Sequence, residues 1–130
     1  MSQENVEIVR RSVEAFQRRD LDAYLALMDP DVEITSRFVA QTTYHGHEGV
    51  SEWWEDMLRV LPDTGVEVQE LHDLGDVVLL ALRARGHGGG SAAPFDELTW
   101  MTAKARDGKC IWWHAHPSKA AALQAVELRE

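Results

Sequence analysis

The stretch FDELTWMTAKARDGKCIWWHAH, residues 95 to 116, decides the fold. Asp107-Gly108 sits between two runs rich in apolar and aromatic residues, which is the strongest short-range signal for a two-residue hairpin turn. It predicts one strand over Phe95 to Arg106 and another over Lys109 to His116. A two-residue loop pairs Ala105 with Cys110, Ala103 with Trp112 and Met101 with His114, and residues paired across strands share a face. One face then carries Glu97, Thr99, Met101, Ala103, Cys110, Trp112, His114 and His116. The other carries Leu98, Trp100, Thr102, Lys104, Ile111, Trp113 and Ala115. The second set is the more apolar and has no histidine or acid, so it is expected to look inward. Cys110 falls on the outer set and reads as structural.

Outward from this hairpin, the chain divides by period. Towards the N-terminus, Val77 to His87 reads as a strand, Gly75-Asp76 as a turn, and Val66 and Val68 as the opening of another strand. Gly86 to Pro94 is a glycine-rich loop. Earlier still the period becomes helical. Val6, Val9, Val13 and Phe16 form one apolar stripe. Asp20 caps a short helix bearing Leu21, Tyr24, Leu25 and Met28. Residues 32 to 38 alternate as a strand, and a third helix over about 48 to 61 carries Val50, Trp53, Trp54, Met57, Leu58 and Leu61. Ser118 caps a last helix. Helices laid against one face of an antiparallel meander make an α+β fold. Val77 to Leu82 is apolar on both faces, so the face the helices leave bare is expected to be a homodimer interface.

A chain of 130 residues supports one domain with its own core. Twenty-two acidic against 13 basic residues give a net charge of -9. That charge disfavours nucleic acid and anionic lipid as partners. The longest apolar run, Val77 to Leu82, is far short of a membrane span. One cysteine permits no internal disulfide, and the charged N-terminus resembles no signal peptide, so a cytoplasmic location is expected.

Three strings then suggest a family. Arg19-Asp20-Leu21-Asp22 lies between two helices. Ala26 to Val32 reads ALMDPDV, and Tyr44 to Val50 reads YHGHEGV and opens a helix. Together with Arg106 to Ile111 and Pro117-Ser118, they resemble the SnoaL-like proteins of the nuclear transport factor 2-like superfamily, relatives of ketosteroid isomerases and polyketide cyclases. The resemblance implies a cone-shaped, strongly curved antiparallel sheet wrapped around N-terminal helices, with an apolar pocket at its open end, in a dimer. The ketosteroid isomerases use a tyrosine, an aspartate base and a protonated acid. At the matching positions stand Ser12, Thr35 and Leu98 or Trp100. A threonine hydroxyl does not titrate near neutrality and is no general base. The aspartate that the cyclases place after the last strand is also missing, since His116-Pro117-Ser118 holds no acid.

Five tryptophans are a heavy load for this length. Trp100 and Trp113 on the inner face, with Trp53 and Trp54 facing them from the third helix, either fill the core or wall a pocket for a flat, apolar molecule. Tyr24, Thr35, Leu98 and Thr102 complete the expected lining. His45 is the candidate acid or base, because an ordinary imidazole titrates near neutrality. His114 and His116, two apart on a strand, could share a metal with Glu97, but two such residues recur by chance and no metal or other cofactor is expected. Arg83, Arg85 and His87 lie on one face near the end of a long strand and read as a solvated charge run rather than an anion clamp. Two functions stay open: a cofactor-free isomerase, cyclase or lyase acting on a small hydrophobic metabolite, and a non-catalytic ligand-binding or accessory dimer.

Overall fold

The computed structural model describes residues 2–36, 43–87 and 94–129. Helix α1 (Ser2–Gln17) turns at Arg19 into α2 (Leu21–Ala26), which Asp20 caps by accepting a hydrogen bond from Ala23 N at 3.0 Å. Strand β1 (Met28–Thr35), the short β2 (Thr43–His45) and helix α3 (Gly46–Val60) follow. The meander comprises β3 (Gly65–Asp73), β4 (Val77–His87), β5 (Pro94–Arg106) and β6 (Lys109–His116), and α4 (Lys119–Arg129) ends the chain. The six strands form one open sheet in the order β2-β1-β6-β5-β4-β3. The α+β class expected from the sequence is the class found.

Two details differ from that expectation. The sheet is mixed: β1 runs parallel to β6, because β1 reaches the sheet edge from the helical layer rather than through a hairpin. The three-residue β2, too short to show a period, adds an outer edge antiparallel to β1. Irregularities interrupt the ladder at Val68/Glu70, Met28/Glu33 and Lys104/Ala105. Each bends its strand and increases the local twist, which curves the sheet around the helices.

The bulge between β5 and β6 settles which face looks inward. Asp107 and Gly108 both adopt positive φ (53° and 80°), as the tight primed hairpin turn requires, and Ala105 pairs with Cys110 as expected. Lys104 then pairs with Trp112 rather than with Ile111, and Ala103 with Trp113. Ile111 is the extra residue. A shift of one residue exchanges the faces. Cys110, Ala103, Met101, Thr99, Trp113 and Ala115 therefore share the inner face. Leu98, Trp100, Thr102, Trp112, His114 and His116 lie on the outer one. Of the residues expected inside, Trp113 and Ala115 are there and Leu98, Trp100 and Thr102 are not.

The core lies between the inner face and the helices. It joins Val9, Val13 and Phe16 of α1, Tyr24 of α2, Val50 and Trp54 of α3, and Val32, Ile34, Val78, Leu80 and Trp113 of the sheet. Helix α4 packs against β4, β5 and β6 on the other side. Its Lys119 ammonium sits 5.3 Å above the Trp100 ring, and Ala122 is fully buried. Thus the second apolar face of β4, where Leu79 and Ala81 are buried, is covered by the chain's own last helix. The expectation that only a second subunit could cover it loses its premise.

Candidate functional site

Between the inner face, α1, α2 and α3 lies a partly enclosed cavity of about 80 Å³. Phe16, Tyr24, Trp53 and Trp113 supply aromatic wall. Val13, Ile34, Met57, Val66, Leu82, Ala84, Met101 and Ala115 supply aliphatic wall. Tyr24 and Trp53 stack at 5.8 Å and 29°. Trp54 meets Phe16 and Tyr24 edge-on at 5.1 and 5.2 Å, in the core behind this wall rather than in it. Aromatic pairs in these offset and edge-on geometries add to the burial of their area, which makes this side of the cavity stiff.

Polar atoms in the wall are few, and most are engaged. Ser12 Oγ donates to Ile8 O at 2.8 Å, and Thr35 Oγ1 accepts from Ala115 N at 3.0 Å. Ser36 Oγ lies 4.0 Å from Met57 Sδ. Two buried groups, Thr99 Oγ1 and Trp113 Nε1, have no hydrogen-bond partner among the described residues. Cys110 Sγ sits behind the wall, 4.0 Å from Ser12 Oγ. Burial pushes its thiol up to about 12, and Ser12 and the nearby Trp113 N–H offset only part of that rise. The indole N–H is close to the sulfur without the geometry of a hydrogen bond. Burial, reinforced by Cys110, likewise holds the Tyr24 phenol above its ordinary value. Near neutrality both groups are therefore uncharged, and neither can serve as a base or nucleophile.

The expected residues divide between this cavity and the opposite side. Tyr24, Thr35, Trp53 and Trp113 border the cavity, as does Ser12. Leu98, Trp100 and Thr102 are turned away by the bulge. His45 is exposed at the N-terminal boundary of α3, opposite Glu33 on β1, and is not part of the wall. Its neighbour His47 donates from Nε2 to Met28 O at 2.9 Å and ties the start of α3 to β1. His114 donates to Glu33 Oε2 at 2.6 Å and stacks on Trp112 at 4.4 Å and 12°. His116 Nε2 and Thr102 Oγ1 are 2.9 Å apart. Among the described residues no three His, Cys, Asp or Glu side chains could hold a metal ion. Arg83 pairs with Asp96 at 2.8 Å, Arg85 lies 3.6 Å from Glu67, and His87 binds Asp63 at 2.8 Å, so the charge run is neutralised on the surface.

Sequence reasoning did not find the wall residues Val13, Phe16, Met57, Val66, Leu82, Ala84, Thr99, Met101 and Ala115. Those on helices were legible as apolar stripes and Ala115 lay on the face expected inside, but Thr99 and Met101 on β5 depended on a bulge that carries no composition signal.

A family model for the SnoaL-like domain matches residues 9–113. No curated protein matches the chain. Several solved structures share the fold. TerC, co-crystallised with polyporic acid, is 22% identical with a TM-score of 0.79, over 95% of this chain and 98% of that one. An NTF2-like protein of unknown function from Burkholderia pseudomallei K96243 is 22% identical with a TM-score of 0.80, over 93% and 95%. A protein described as a SnoaL-like polyketide cyclase, from Jannaschia sp. CCS1, is 21% identical with a TM-score of 0.76, over 96% and 90%. Among the described residues no helix is long and apolar enough to cross a membrane.

Proposed function

The chain belongs to the SnoaL-like domain family, and from that premise we propose that it binds a small, uncharged, mostly apolar molecule in the cavity between α1, α3 and the inner face of the sheet. One observation carries this reading: the wall is aromatic and aliphatic, and no group in it changes its charge near neutral pH. Proton-transfer catalysis needs a group with a pKa close to the working pH within reach of the ligand. The described wall offers none, and residues 37–42 and 88–93 contain no Asp, Glu or His in sequence. A charged ligand would be desolvated here without a counter-charge, at a cost of several kcal/mol. An apolar one gains about 25 cal/mol for each Å² it buries. The reading therefore favours a binding protein over an isomerase or cyclase.

Size sets a further limit. The cavity has about half the volume of an engineered apolar cavity of ~150 Å³ that admits benzene. A molecule of benzene's size or larger must displace wall side chains, and Met57 is the most adaptable of them. The test is titration with cyclopentane, followed by the tryptophan indole signals in proton–nitrogen spectra. Saturable shifts confined to Trp53 and Trp113, lost in Ala84→Leu because the added side chain occupies the space, support the proposal. An absence of saturable shifts, or identical shifts in Ala84→Leu, overturns it.

A further inference from the structure

On β5 the cavity wall ends within one step of the strand. Alternation puts Met101, Thr99 and Glu97 on the inner face. Thr99 lines the cavity and is 3% exposed, whereas Glu97 is exposed. The register across the sheet gives the same placement. Val66 pairs with Ala84, Ala84 pairs with Glu97, and Val66 and Ala84 are both wall residues. Directly opposed residues have Cβ atoms about 5 Å apart, so the Glu97 side chain starts at the edge of the wall, beside Ala84. The other acids of this corner are paired: Asp96 with Arg83, Glu67 with Arg85 and Asp63 with His87. Glu97 forms no hydrogen bond or ion pair with any described residue. Its charge stands alone at the rim, with the sign of the chain's net charge of -9.

Desolvation excludes a charge inside the wall. It does not exclude a molecule that fills the cavity with hydrocarbon and keeps a carboxylate outside in water. We propose that Glu97 makes this second exclusion: it is a specificity-determining residue at the rim, and it rejects ligands whose outer end is anionic. The ligand class narrows to hydrocarbon bodies ending in an uncharged polar group, such as an alcohol or a ketone, rather than in a carboxylate or a phosphate. The proposal rests on the apolar-binding reading above and adds the chemistry of the ligand's outer end. Two unit charges roughly 6 Å apart in water change each other's binding about threefold.

The test uses three probes that share one ring, cyclopentylmethanol, cyclopentanecarboxylate and cyclopentylmethylammonium, on the full-length protein at neutral pH and low ionic strength. The carboxylate should bind at least about threefold more weakly than the alcohol. Glu97→Gln should strengthen the carboxylate about threefold, weaken the ammonium by a similar factor and leave the alcohol unchanged. Glu97→Lys, a change of two charges, should extend each shift to about tenfold. All these shifts should vanish in 1 M salt, where the screening length is about 3 Å. Glu127→Gln removes the same charge from α4, on the other side of the sheet, and should move none of the three affinities. A carboxylate that binds as tightly as the alcohol, or a Glu97→Gln effect that is absent or no larger than that of Glu127→Gln, would overturn the proposal and leave the apolar-binding reading standing. Failure of the alcohol to bind would overturn both.

Discussion

The two faces of the sheet divide the molecule's chemistry. The inner face holds the space: a cavity walled, among the described residues, by rings and aliphatic chains, with two buried unpartnered polar groups, Thr99 Oγ1 and Trp113 Nε1, and no charged side chain. The outer face holds the titratable groups, and these are mutually satisfied, as in Glu33 with His114 and Thr102 with His116. In a proton-transfer enzyme the two would coincide, with an acid or base projecting into the space that holds the substrate. Here a six-stranded sheet separates them. That separation, more than any single residue, supports a binding function.

Trp113→Asp is the most severe way to break the division. It puts an unpaired charge at a position 4% exposed, in the core between the inner face and the helices. Circular dichroism should show no cooperative thermal transition. A smaller disruption is Trp54→Ala, which removes the ring packed edge-on against Phe16 and Tyr24. It should cost about 3–5 kcal/mol in urea denaturation.

Alkaline pH tests the inner face without mutation. Burial raises the Cys110 thiol from 9.0 to about 12, and burial with the hydrogen bond to Asp56 raises the Tyr44 phenol from 10.0 to about 12. Both favour the protonated form in the folded state. The stability they contribute is thus complete below the unfolded values and is lost as pH rises through 9 and 10 towards 12. The urea midpoint should be flat from pH 7 to 8 and then fall, by the equivalent of roughly 4 kcal/mol near pH 11 from the two groups together. Cys110→Ala should fall less steeply.

The outer face should respond more weakly. Glu33→Ala removes one acceptor from the buried His114 ring, but the carboxylate is itself 38% exposed and solvent already screens the pair. A loss of about 1 kcal/mol is expected in urea denaturation, with cyclopentane affinity unchanged. Smallest of all is His45→Ala. The side chain is exposed and outside the wall, so stability should move by no more than about 0.5 kcal/mol and ligand affinity not at all by the same titration. A large loss of affinity would return the imidazole to the site.

Element types were readable in the sequence because each carries its own period, 3.6 along Val6, Val9, Val13 and Phe16 and 2 along the strands. The Asp107-Gly108 turn was readable because its positive φ values suit those residues. The face assignment was not. It hinges on one unpaired residue, Ile111, whose side chain looks like any other strand residue. An error of one position carried Leu98, Trp100 and Thr102 into the expected pocket and left Thr99 and Met101 out. The parallel β1–β6 pairing and the placement of α4 on the outer face also escaped, since both are set by tertiary packing rather than by local pattern. Tyr24, Trp53 and Trp113 were legible because large amphipathic rings are conspicuous wherever the strand turns them.

The most direct test of the separation of space from proton chemistry is the dissociation constant of cyclopentane measured from pH 5 to 9. A value constant within about twofold is predicted, since no group in the wall titrates in that range. A tenfold change centred between pH 6 and 7 would place an imidazole against the ligand and contradict the account.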